Sequence, residues 1–167
     1  MTAVVAAGLI QSAHGFYCGF STLVWKAQGI PASMTGVLWA VGVGVEVGFM
    51  WFLEPWRRRI GPRTLLVIGG VAAVVRWTML AFSPPLWLLF PLQGLHALSY
   101  AAVFFASLQL VERLSTHQNA SAAQSISSAL SGGVLMGLAT LASGPLFDRF
   151  GSHGYLLMTV MAAAGVI

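Results

Sequence analysis

Long uncharged runs separated by short turns rich in proline, glycine or arginine set the pattern of this chain. A helix needs about 20 mostly apolar residues to cross a bilayer, because only continuous helical hydrogen bonding satisfies the backbone where water is absent. Six runs meet or approach that length, at about residues 3–25, 33–54, 63–82, 86–111, 121–147 and 154–167. Glu46 lies inside the second run and Arg76 inside the third; the first, fourth, fifth and sixth carry no Asp, Glu, Lys or Arg. The sixth is still apolar at Ile167, so that span is expected to be cut short. The opening run has no basic residue ahead of it and exceeds the roughly 7–15 apolar residues of a signal peptide, so it reads as a helix. The pattern predicts an all-α membrane protein with six spans, short loops and no soluble domain between them.

Composition narrows the class further. Of 167 residues, 57% are apolar and 7% charged, against about 25% charged in a soluble domain, so most of the surface must face lipid. The net charge of +4 is spread too thinly for a phosphate-tracking stripe, which excludes nucleic acid as a partner. A single cysteine, Cys18, excludes a disulfide framework or a cysteine-based zinc site, and neither cofactor nor metal is expected. Lys and Arg favour the cytoplasmic bank. Arg57, Arg58, Arg59, Arg63 and Arg113 fall in alternate loops on one side, against Lys26 and Arg149 on the other. The N-terminus and the arginine-rich loop 55–63 are therefore expected to be cytoplasmic, where that loop is also suited to anionic lipid heads. Small-residue pairs at Gly15/Gly19, Gly44/Gly48 and Gly133/Gly137 have the spacing that lets helices approach closely.

Polar residues within the runs carry the candidate chemistry. An ionisable group at mid-membrane costs roughly 2.5–3.5 kcal/mol even on lenient scales, so such groups face a cavity or one another. Glu46, Arg76 and His96 are the three. Counted from the arginine-rich loop, Glu46 and Arg76 differ in height by roughly 9 Å, a gap a long arginine can cover. They either pair between spans two and three or each face water or solute. His96 is either a buried, hydrogen-bonded imidazole or a proton relay; Tyr100 and Phe104 follow it at four-residue steps. Span one carries a polar stripe of Gln11, His14, Cys18 and Ser21 or Thr22 with Tyr17 beside it, and span five has Gln124, Ser128 and Ser131. No nucleophile with a matched base, metal cluster or phosphate loop is present in the sequence, so an enzyme is not expected. The layout suits a solute pathway; a six-helix packing or regulatory module that does not transport is the alternative.

In order along the chain, Glu46, the basic turn Arg58-Arg59-Ile60-Gly61, Arg76 and Leu95-His96 resemble the second half of a major facilitator superfamily transporter. Within it they resemble the branch containing the lactose and 3-phenylpropionate permeases. His14-Gly15-Phe16-Tyr17, Gly19-Phe20-Ser21, Leu38-Trp39, Val75-Arg76-Trp77 and the stretch from Phe147 to Gly154 favour the 3-phenylpropionate type. The resemblance covers nearly the whole chain and implies a six-helix half built from two inverted three-helix repeats, partnered by an N-terminal six-helix half in a bacterial inner membrane. It implies proton coupling through Glu46, Arg76 and His96. A small organic solute, of which an aromatic acid is the favoured example, would be bound by Arg76, His14, Tyr17, Trp39, Tyr100, Phe104 and Gln11. Where lactose permease has a further acid one turn beyond its histidine, this chain has Ser99, leaving Glu46 to carry the proton.

Overall fold

A computed structural model describes residues 2–166. The first apolar run forms α1 (Thr2–Ser12) and α2 (His14–Ala27). Their break at Ala13 has a local cause: His14 Nδ1 sits 3.3 Å from the Ile10 carbonyl and 3.1 Å from that of Gln11, and a side chain entering the helical ladder disturbs it. Pro31, extended, precedes α3 (Ala32–Phe52). The expected loop 55–63 is mostly a helix, α4 (Glu54–Ile60), whose first turn accommodates Pro55 because no amide donor is needed there. Gly61, at φ +76°, then redirects the chain into α5 (Pro62–Ala81).

The fourth run is one helical stretch in three parts: α6 (Leu86–His96), π-helical turns over Ala97–Ala102, and α7 (Val103–Leu114). The fifth is built alike, from α8 (Ala120–Ser128), π-helical Ala129–Leu135 and α9 (Met136–Phe150). A 3-10 corner at Gly151–Gly154 leads to α10 (Tyr155–Ala164). Among the described residues, four stretches are long and apolar enough to cross a membrane: Ala32–Phe52, Pro62–Ala81, Leu86–Leu114 and Ala120–Ala164. The last, at 45 residues, is two rods divided by the Gly151–Gly154 corner, and α1 with α2 makes a further rod interrupted at Ala13.

Helix pairing follows a symmetric rule. Span one (α1, α2) packs on span five, and span four (α6 to α7) packs on span two (α3). Span three (α5) packs on span four, and span six (α10) packs on span one; α5 and α10 pack on each other. Exchanging the first three spans with the last three maps this set of contacts onto itself, the relation expected of two structural repeats.

The centre holds Phe16, Tyr17, Trp25, Trp77, Tyr155 and Met158, all essentially sealed. Large apolar side chains also cover the outside, with Trp51 and Phe52 each 78% and Trp87 71% exposed. Trp51, Phe52 and Trp56 lie beside the arginine turn and Phe82 and Trp87 at the turns on the opposite bank, two aromatic girdles of the kind that sit at membrane interfaces. The helix-packing expectation for the glycine pairs needs correction. Gly15 does pack tightly, its missing Cβ position 3.1 Å from Ala139 and Thr140, but Gly19, Gly44, Gly48, Gly133 and Gly137 have nothing within 4 Å. The close approaches lie elsewhere: a Cβ on Gly69 would meet the Leu98 carbonyl at 2.7 Å, and one on Gly165 the Ala6 carbonyl at 2.6 Å.

Candidate functional site

Arg76 sits in the sealed middle of α5, on a helix whose Gly69, Gly70, Ala72 and Ala73 leave room for neighbours on several sides, and it is 0% exposed. Its Nε donates to the Leu92 carbonyl at 3.0 Å, Nη2 to Gln93 Oε1 at 3.1 Å, and Nη1 lies 3.1 Å from His96 Nδ1. Two rings cover its faces, with the guanidinium carbon 4.2 Å from the Tyr17 ring centre and 4.6 Å from that of Trp77. All three polar partners are neutral acceptors, so the charge is held by dipoles and π faces.

Arginine has only donors to offer, so His96 Nδ1 must accept from it. The imidazole proton then resides on Nε2, which faces Glu46 Oε2 at 3.4 Å. Guanidinium, imidazole and carboxylate thus form a chain from α5 through α6 to α3. Contrary to the direct-pairing expectation, His96 stands between Glu46 and Arg76. The inner end is sealed, whereas the side chains of His96 and Glu46 are 12% and 17% exposed. Tyr100 stacks on His96, centres 5.4 Å apart and planes 11° apart.

His14 is sealed beneath this chain. With carbonyls at its Nδ1, it carries its proton there, leaving the acceptor Nε2 3.4 Å from Ser99 Oγ, whose one hydroxyl proton also has the His96 carbonyl in reach at 3.3 Å; its ring lies 4.8 Å from Trp77 and 5.2 Å from Tyr100. Trp39 packs 4.8 Å from Tyr17 and donates from Nε1 to Thr22 Oγ1 at 3.2 Å. Gln11 reaches the Tyr100 carbonyl at 3.5 Å. These residues converge on one cluster. Phe104 does not: it is 41% exposed and its ring contact is with Phe105. The π-helical turns ending at Ala102 use more residues per turn, so the four-residue stripe counted from His96 loses register after Tyr100. In span five, Ser131 bonds the Ser127 carbonyl of its own helix at 2.7 Å, the local role open to any helical serine.

Gln93, Trp77 and Ser99 do not stand out in the sequence as site residues. Gln93 is the one with a findable signal: an amide in the middle of an uncharged span, one turn before His96. It is 1% exposed and also accepts from Tyr17 O–H at 2.8 Å. Among the described residues, no group of three His, Cys, Asp or Glu is placed to hold a metal ion.

A sealed arginine wired to a half-open histidine and carboxylate, inside an all-α, lipid-facing bundle with repeat symmetry, defines a multi-pass membrane protein of transporter type. The chain belongs to the MFS_1 like family, whose sequence profile matches residues 1–157. It is 30% identical over 156 residues to an Escherichia coli (strain K12) protein named "Probable 3-phenylpropionic acid transporter", covering 92% of this chain and 40% of that one. To the maltose permease of Geobacillus stearothermophilus it is 26% identical over 133 residues, 79% of this chain and 34% of the relative. An uncharacterized transporter of Bacillus subtilis (strain 168) is 24% identical over 147 residues, 87% of this chain and 37% of that protein. The chain therefore spans 34–40% of the length of these relatives. No solved structure matches it significantly. All three relatives are named as transporters or permeases, in line with the exclusion of an enzyme.

Proposed function

We propose that this chain is the C-terminal half of a permease that moves a small organic solute together with protons across the bacterial inner membrane. An aromatic carboxylic acid is the favoured solute. The observation that carries the reading is the Arg76–His96–Glu46 chain, sealed at the arginine and open at the carboxylate. With His96 committed as acceptor to Arg76 and donor to Glu46, an incoming proton has one acceptor on the open side, the Glu46 carboxylate. Protonation there removes the anion that His96 donates to and loosens α3 from α6, which links proton binding to helix movement. Half-exposed Trp39, Tyr100 and Gln11 offer a flat apolar wall with an amide at its edge, suited to an aromatic acid. Arg76 acts from behind this wall through His96 and Tyr17, and His14 through Tyr100. Phe104 belongs to the pathway only if a partner half covers it. The share of the relatives' length that the chain spans supports a second half of similar size, and the arginine bias supports a cytoplasmic α4 turn.

The test is uptake of 3-phenylpropionate into proteoliposomes containing the full-length transporter under an imposed pH gradient. Glu46→Gln should abolish gradient-driven accumulation while leaving solute exchange in place. Undiminished accumulation by that variant removes Glu46 from the coupling step and with it proton-coupled transport through this chain of residues.

A further inference from the structure

Gln93 is buried among the residues it serves. Its Oε1 accepts from Tyr17 O–H at 2.8 Å and from Arg76 Nη2 at 3.1 Å. Since arginine only donates, the atom facing it is the amide oxygen, so the orientation of the amide is fixed. Gly42 on α3 makes room for it: a Cβ there would lie 3.3 Å from Gln93 Oε1 and 3.9 Å from His96 Cδ2. One oxygen on α6 thereby joins α2 to α5, directly behind the residue that faces Glu46.

We propose that Gln93 is the positioning residue of the site: its amide oxygen clamps the Tyr17 ring over Arg76, and its neutrality leaves the buried positive charge directed through His96 toward Glu46. This rests on the permease reading above. A carboxylate in the same place would accept both hydrogen bonds and keep the geometry, but would take the guanidinium as its own ion-pair partner and uncouple it from Glu46. The groups facing Arg76 and His96 from the packed elements are His14, Tyr17 and Cys18 on α2, Glu46 on α3, Tyr100 after α6, and Tyr155 on α10. A second carboxylate at position 93 would be nearer the guanidinium than Glu46 is.

Two substitutions in the full-length transporter separate the clamp from the charge. In Gln93→Glu the ratio of gradient-driven accumulation to solute exchange should fall at least about tenfold, and the pH profile of accumulation should move. Gln93→Leu, which releases Tyr17, should change the N-ethylmaleimide alkylation rate of neighbouring, exposed Cys18 by about threefold or more, followed by peptide mass spectrometry; Gln93→Glu should leave that rate unchanged. An accumulation-to-exchange ratio in Gln93→Glu equal to the parent's overturns the charge role. An unaltered Cys18 rate in Gln93→Leu overturns the clamp. A parent that exchanges solute without responding to a pH gradient overturns the permease reading instead, and the Cys18 measurement still decides the clamp.

Discussion

A guanidinium shut away from water, as Arg76 is, must find its compensation in fixed neighbours, and the identity of those neighbours dictates where every proton in the cluster sits. Three neutral acceptors take three of its donors; removing one and leaving a buried donor unsatisfied costs about 1–3 kcal/mol, more where the donor is charged. His96 is thereby fixed as the Nε2–H tautomer. Nitrogen-15 NMR of labelled protein should show His96 Nδ1 as the unprotonated, accepting nitrogen and Nε2 as the protonated one, and the reverse assignment would break the chain to Glu46. Arg76→Gln should release this preference. It should also destabilise the bundle more than Glu46→Gln does, because Arg76 is sealed on all sides whereas Glu46 is partly wet. Comparing thermal unfolding of the two variants in detergent tests that order.

Among the elements, α5 is the axis on which the site depends. It contacts spans four and six along its length, and it gets that close only because Gly69 and Gly70 carry no side chain where the Leu98 carbonyl and Val166 press in. Gly69→Ala should therefore lower stability by about 1–3 kcal/mol through overpacking, seen as a reduced unfolding temperature. Gly133→Ala and Gly137→Ala, with open space around both, should leave that temperature within error. The π-helical turns at Ala97–Ala102 work at the same scale. They end α6 at His96, carry Ser99 toward His14 and Tyr100 over the His96 ring, and shift the register of the residues that follow. Arg57 shows how an interfacial helix is tied down: its guanidinium lies 3.9 Å from the Phe105 ring centre and Nη2 donates to the Met50 carbonyl at 3.1 Å. A residue expected in a solvated loop is in fact packed.

For the whole molecule, the symmetric pairing of six spans makes a coherent bundle, but the candidate site opens on one flank. Reconstituted alone, the chain should show no gradient-driven uptake, and uptake should appear when the complementary half is supplied; transport by the chain alone would contradict the two-half proposal. In a Cys18→Ala background of the full-length protein, an impermeant maleimide on intact cells should label Ser83→Cys and spare Arg59→Cys; the opposite pattern would invert the topology. Much of this architecture was legible in sequence, because the length of uncharged runs and the scarcity of charge follow directly from the demands of a lipid solvent. Glu46, Arg76 and His96 stood out for the same reason, being costly where they are. What the sequence could not express was who meets whom. One-dimensional counting set Glu46 against Arg76, whereas packing interposed His96, dropped Phe104 from the stripe through a π-helical turn, turned most of the glycine pairs outward and brought in Gln93. Burial cost is a property of single residues and can be read along the chain; hydrogen-bond partnership depends on helix rotation and register, which only the packed bundle fixes.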